Sequence, residues 1–243
     1  MIRAVSSFAA LAVIASTATL TSVAQETMTR IGWGPSHSGS CTNCSLAGRN
    51  LSGWNISNSN YPGADISGAS LRSVIAHGAD FSDAVAEGAD FRRGDLSEAR
   101  FKRARLAGAR FGHATLLSSN FAGADLTSAK LSSATLIGAN LEGATLPGVI
   151  ADDADFSAAN LSGTDFRAGR LAGAVFNNAV LVGADFGGAN IEGASFQDAK
   201  LAGADLSSVI GLSGANFDGA CGDAQTRLPF GMYLADCVAS DQP

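Results

Sequence analysis

Basic residues are outnumbered in this chain: 16 Lys and Arg stand against 22 Asp and Glu, a formal charge of −6. A nucleic-acid binder concentrates positive charge, so the totals argue against nucleic acid as the partner. Large aromatics are scarce, at 7% of residues, while Ala and Gly abound. That composition suits a narrow core rather than a round one. The three histidines, His37, His77 and His113, leave little material for an imidazole-based metal or acid–base centre. Beyond the N-terminal segment, no apolar run has the length that crosses a bilayer.

That segment, "MIRAVSSFAALAVIASTATLTSVAQ", carries Arg3 as its only charge, then an apolar run from Phe8 to Leu20. It closes with Ser22-Val23-Ala24, a small-x-small pattern. Residues 1–24 read as a secretory signal peptide, with an uncleaved anchor as the other reading. Removal of Arg3 leaves a mature charge of −7, and the expected location is periplasmic or secreted. Four cysteines suit such a compartment. Cys41 and Cys44 precede the central pattern of the chain, and Cys221 and Cys237 follow it. The simplest disulfide pairing is local at each end.

The central pattern has a period of five. In "FAGADLTSAKLSSATLIGANLEGATL", Phe121, Leu126, Leu131, Leu136, Leu141 and Leu146 recur at every fifth position. A helix requires a spacing of three or four, and a half-buried strand a spacing of two. From Leu46 to Leu206 the register has 33 positions, and 30 hold Leu, Ile, Phe or Tyr; the others are Ala76, Ala86 and Ala151. Two residues before each stands Ala, in 23 of the 33, and two residues after stands Gly in 17. Asp or Asn usually lies between the small and the large residue. The unit is Ala-(Asp/Asn)-(Leu/Phe)-x-Gly.

On these residues the chain resembles the pentapeptide-repeat proteins over roughly residues 44–219. The resemblance implies an all-β fold, a right-handed quadrilateral β-helix in which four units make one 20-residue coil. The large and small residues point inward. The aromatics supply an independent check, because stacked coils align residues 20 apart. Tyr61, Phe81, Phe101 and Phe121 form one such series, and Phe91 with Phe111 another. Later come Phe156, Phe176 and Phe196, then Phe166 and Phe186. The phase changes around "LPGVIADDADF", where Pro147, Gly148 and Ala151 predict an irregular coil.

Thirty-three units make about eight coils, a rod roughly 40 Å tall at about 4.8 Å per coil. Both ends of such a rod expose unpaired backbone and require caps. Residues 25–43 are assigned to a linker and N-terminal cap, and residues 220–243 to a C-terminal cap. In the latter, Leu228, Phe230, Met232 and Leu234 are expected to lie on the last coil.

Motifs with chemical potential are few. "CTNC" matches the C-x-x-C of redox proteins, but it precedes a β-helix and not the helix of a βαβ unit. As a zinc site, His37, Cys41 and Cys44 lack a fourth ligand. His77 and His113 point outward in different coils, with no Ser, Cys or carboxylate constellation around them. No catalytic residue, metal site or cofactor is assigned.

The outer surface is then the candidate for function. Residues 20 apart form stripes, and one reads Asp125, Thr145, Asp165, Asp185, Asp205, with Asp65 further toward the N-terminus. Asp125, Asp165, Asp185 and Asp205 are the candidate binding face; the alternative is that Asp is simply favoured in the unit and screened by solvent. A basic cluster, Arg92, Arg93, Arg100, Lys102, Arg103, Arg105 and Arg110, wraps several faces and reads as a solvated girdle. Leu117 and Ile137, with Val180 and Val182, mark possible association patches.

These features point to an exported, non-enzymatic scaffold whose rigid faces meet a protein or envelope partner, with self-association open to the end or side of the rod. The resemblance adds a second reading, since some cytoplasmic members are similar to duplex DNA in shape and charge and act on type II topoisomerases. The export signal and the lack of a C-terminal dimerisation helix argue against it. A redox or metal role for "CTNC" is the third reading.

Overall fold

The computed structural model describes residues 41–237. The chain divides into two units, residues 1–34 and 35–243; the first lies outside the described residues, as do the whole signal-peptide assignment, residues 25–40 of the linker and cap with His37, and residues 238–243 of the C-terminal cap.

Each five-residue unit folds as a tight turn. In residues 61–64 the Ala64 N–H donates to the Tyr61 carbonyl at 3.1 Å, and Gly63 holds a φ of 65°. Positive φ at the third position defines a type II turn. The next unit repeats it 90° further round, so four turns close a coil. Parallel bridges then join each coil to the next at a separation of 20 residues, from Ser45↔Asp65 to Asn190↔Ile210.

The backbone accounting shows why the unit is self-sufficient. In the unit around Ile66, Asp65 N–H donates to the preceding coil at Cys44 O, and Ile66 N–H and Gly68 N–H donate to the following coil at Val85 O and Glu87 O. Ala69 N–H closes the turn on Ile66 O. The remaining donor, Ser67 N–H, is taken by the Asp65 side chain at 3.0 Å.

Side chains at the large and small positions fill the interior. Apart from the terminal coils they are essentially inaccessible to solvent. The aromatic columns are as the 20-residue period predicts: Phe81, Phe101 and Phe121 stack at 5.1 and 4.8 Å, and Phe91 stacks on Phe111 at 4.8 Å. Rings from the two columns meet edge to face across the core, as in Phe91 against Phe101 at 5.6 Å. Leu126, Leu146, Phe166 and Phe186 share one column, linked coil to coil by Leu126 N–H to Thr145 O, Leu146 N–H to Asp165 O and Phe166 N–H to Asp185 O.

The irregular coil expected at residues 147–151 is not there. Ladders pass through without a break, as in Lys130↔Ile150↔Arg170. Pro147 and Gly148 occupy the second and third positions of the turn closed by Val149 N–H on Leu146 O, where a type II turn favours Pro and Gly. The change of aromatic phase is a 90° rotation of the ring columns inside an unaltered backbone. Irregularity occurs later: after Ile210 one residue is added, so Ser195 pairs with Asn216 and Phe196 stacks on Phe217 at 4.7 Å.

Candidate interaction faces

Outward side chains of successive coils build four walls. The wall predicted to be acidic is a continuous ladder, Arg105↔Asp125↔Thr145↔Asp165↔Asp185↔Asp205. Its four candidate carboxylates are therefore aligned, but each has structural work. Asp125 Oδ1 accepts Thr127 N–H at 2.9 Å, Asp165 accepts Arg167 N–H at 3.0 Å, Asp185 accepts Gly187 N–H at 2.8 Å, and Asp205 accepts Ser207 N–H at 3.0 Å. Each takes the one turn donor that the coil ladder leaves over. This explains the Asp/Asn preference of the unit without a ligand.

Cations also intrude on the acidic wall. Arg167 makes a two-pronged contact with Asp165 and lies 3.7 Å from Asp185, and Arg227 lies 3.2 Å from Asp205. The Arg167 hydrogen bonds hold the Asp165 carboxyl below the usual range, against partial burial. At Asp205 the Ser207 hydroxyl has the larger effect, followed by the Ser207 amide, with Arg227 adding to it.

The seven-residue basic cluster separates into two groups. Arg100, Arg103 and Arg105 pair with Asp80, Asp83 and Glu87. Arg92 pairs with Asp90, while Arg93, Lys102 and Arg110 form no ion pair among the described residues. His77 does meet a carboxylate, with Nε2 3.8 Å from Glu98 Oε2, both exposed; the sequence reading had placed none there. Leu117, Ile137 and Val182 are exposed.

Charge is also segregated along the rod. Residues 41–133 hold ten Lys/Arg against eight Asp/Glu, whereas residues 134–237 hold four against twelve.

Cys41 is joined to Cys44, and Cys221 to Cys237. The second bond closes a loop whose ends pair as two short parallel strands, β1 (Cys221–Gly222) and β2 (Ala235–Asp236). Asp223 and Thr226 complete the end of the rod. Gly203 N–H would donate to a further coil, and instead reaches Asp223 Oδ1 at 2.8 Å and Thr226 Oγ1 at 3.2 Å. The Thr226 hydroxyl donates to Leu201 O at 3.0 Å. Sequence reasoning missed these two residues; an Asp three positions before a Thr is a turn signal but does not reveal which amide it serves. Leu228, Met232 and Leu234 are partly covered, but Phe230 projects fully into solvent beside an exposed Tyr233. The expectation that Phe230 packs on the last coil is thus corrected: in "LPFGMY" the turn at Pro229–Met232 directs its ring away from the rod. No group of three or more His, Cys, Asp or Glu able to hold a metal ion occurs among the described residues, and no helix there is long and apolar enough to cross a membrane.

The sequence profile of the pentapeptide repeats matches successive stretches from residues 50–85 to 170–207, more than half of the chain. This chain is a pentapeptide-repeat protein. Among solved structures, trypsin-treated QnrB1, a plasmid-mediated fluoroquinolone resistance protein, is 20% identical with a TM-score of 0.50 over 76% of this chain and 92% of its own. At that identity the likeness establishes the fold, a right-handed β-helix, and nothing more. HetL, a pentapeptide repeat protein involved in heterocyst differentiation regulation in the cyanobacterium Nostoc, is 24% identical over 88% of this chain and 98% of its own, at a TM-score of 0.43. A pentapeptide repeat protein of the Arabidopsis thaliana thylakoid lumen is 33% identical over 37% of this chain and 63% of its own, at a TM-score of 0.36. No curated protein matches the chain.

Proposed function

We propose that this pentapeptide-repeat protein is an exported, non-enzymatic scaffold whose flat, rigid walls hold a macromolecular partner. The observation that supports this best is the filled interior: stacked Phe and Leu columns occupy the core from Leu51 to Leu206, so side chains free to act lie on the walls or at the ends. In this reading residues 1–24 are the signal peptide, residues 25–43 a linker and N-terminal cap, residues 44–219 a rod of about eight coils, and residues 220–243 a disulfide-bearing C-terminal cap. Asp125, Asp165, Asp185 and Asp205 are one candidate docking wall.

The test has two parts. Expression of the full chain in a bacterial host should deliver protein beginning at Gln25 to the periplasm; retention in the cytoplasm would remove the export reading. Cross-linking in envelope extract should then yield a defined complex that is lost in an Asp165→Ala/Asp185→Ala/Asp205→Ala variant if this wall docks the partner. An identical complex from both proteins would dismiss that wall.

The excess acidity of residues 134–237 favours a second reading, modulation of a type II topoisomerase by mimicry of duplex charge. Inhibition of gyrase supercoiling by the purified chain would support it. An unaffected supercoiling rate at micromolar protein would eliminate it.

A further inference from the structure

The coil register collects, on one wall, cations that are scattered in sequence. Its ladder runs Asn50↔Ser70↔Asp90↔Arg110↔Lys130. Arg72 and Arg92 occupy the next outward position in adjacent coils, since Ser73 N–H donates to Arg92 O. Arg93 stands beside Arg92, whereas Arg49 closes a turn on Leu46 O in the inward column of the first coil and does not belong to the wall. Asp90 is the one acid on this wall between Asn50 and Lys130, and Arg92 neutralises it. Arg72, Arg93, Arg110 and Lys130 are exposed and form no ion pair among the described residues. In the same coils, Arg100 and Arg103 on the opposite wall and Arg105 on a neighbouring wall each have a carboxylate, which leaves Lys102 as the unpaired cation there, among the described residues. The contrast lies in pairing, not in cation count.

We propose that this wall is a binding surface for a linear anionic polysaccharide bearing sulfate or phosphate groups. Three of these four unpaired cations are Arg, whose planar fork fits such oxyanions two bonds at a time. From Arg72 to Lys130 they extend across three coil steps, about 14 Å at the usual strand spacing. Apart from the exposed His113, the residues between them are small, among them Ser70, Ser73, Gly112, Ser132 and Ser133, so the long side chains stand clear of the wall. Rigid backbone ladders keep the charges in place before binding, which lowers the ordering cost.

Two features favour a glycan over other polyanions. The wall has no Phe, Tyr or Trp at its outward positions from Asn50 to Gly193 on which bases could stack, and no helix or ribbon to enter a duplex groove. Further along, the same wall carries Asp152, Asp153 and Glu192. A bilayer would meet those acids as well, whereas a single chain can occupy the basic half alone.

This inference rests on the scaffold reading and adds the chemistry of one partner. The experiment measures heparin binding by the full chain and by two triple variants of equal charge. Arg72→Ser/Arg93→Ser/Arg110→Ser strips the basic wall, and Lys102→Ser/Arg103→Ser/Arg105→Ser strips the other walls. The unmodified chain should bind despite its negative net charge, and its affinity should fall about 50-fold between 50 and 200 mM salt if all four cations displace counterions. The basic-wall variant should lose at least tenfold in affinity and the control less than twofold. No binding by the unmodified chain, or equal losses in both variants, overturns the proposal. Tighter binding to a 20-nucleotide single strand or to phosphatidylglycerol vesicles than to heparin overturns the glycan assignment. A partner still cross-linked elsewhere on the rod would leave the scaffold reading intact.

Discussion

A methyl group placed on Gly169 would lie 2.9 Å from the Phe166 carbonyl oxygen and 3.2 Å from Cγ1 of Val149, one coil earlier in the same inward column. The same relationship joins Gly94 to Val74, at 3.1 Å, with the Phe91 carbonyl oxygen at 3.0 Å. Both Gly residues occupy positions where Ala is the rule, and both Val residues replace Ala as well. Column volume is thus conserved over two coils, as close packing demands.

Gly169→Ala should therefore destabilise the protein by about 1–3 kcal/mol through overpacking. Val149→Ala alone should also destabilise, by about 1–3 kcal/mol, because it leaves a void. The double variant restores two ordinary Ala layers, and its loss should fall short of the sum by at least about 1 kcal/mol. Strictly additive losses in chemical denaturation would refute the compensation.

The aromatic columns predict a larger effect. Phe176 stacks on Phe156 at 5.1 Å and on Phe196 at 4.9 Å, and meets Phe166 and Phe186 edge-on. Phe176→Ala should cost about 3–5 kcal/mol. Phe176→Leu should cost clearly less, since Leu136 fills the same column. Equal losses would mean that the ring contacts carry little weight.

Turn geometry predicts a gain. Ala158 and Ala168 hold φ values of 56° and 55°, a conformation that strains any residue with a Cβ. Replacing either with Gly should raise stability by about 0.5–1 kcal/mol, the relief of strain exceeding the greater unfolded-chain entropy of Gly. A lower melting temperature in both variants would contradict the assignment of the turn.

Acid should unfold the rod from below pH 4. Asp90 and Asp165 are held below their ordinary range chiefly by hydrogen bonds from Arg92 and Arg167, and Asp205 chiefly by Ser207. Because these folded values are lower than the unfolded value of about 3.9, the stabilisation is complete above the unfolded value and is lost as pH falls through the folded ones. Melting temperature should stay level from pH 7 to 5 and then decline, less steeply in Asp165→Asn. A rise between pH 5 and 3 would reverse the sign.

Opening the bond between Cys221 and Cys237, 16 residues apart, should cost up to about 3 kcal/mol in the chain-entropy model. Exchange of the Gly203 and Leu206 amides, which donate into the cap, should quicken in Cys221→Ser/Cys237→Ser. Exchange at Phe121 should not. Uniform acceleration would show that the cap is required for the whole rod.

The interior was legible before any coordinates. One residue in five must fill a closed square of fixed size, so the side chains allowed there are few and their 20-residue alignment can be counted along the chain. The walls and ends answered to a different constraint. Whether Asp165 stands free depends on Arg167, and whether Arg110 belongs to a girdle or a stripe depends on Arg72 and Lys130, which are remote in sequence. Outward positions tolerate many residues because solvent accepts them all, so their chemistry is decided by which neighbours the coils place about 5 Å away. The position of the extra residue after Ile210, the seat of Asp223 on Gly203 and the outward turn of Phe230 likewise belong to the tertiary structure, because an open end has no repeat to dictate its partner.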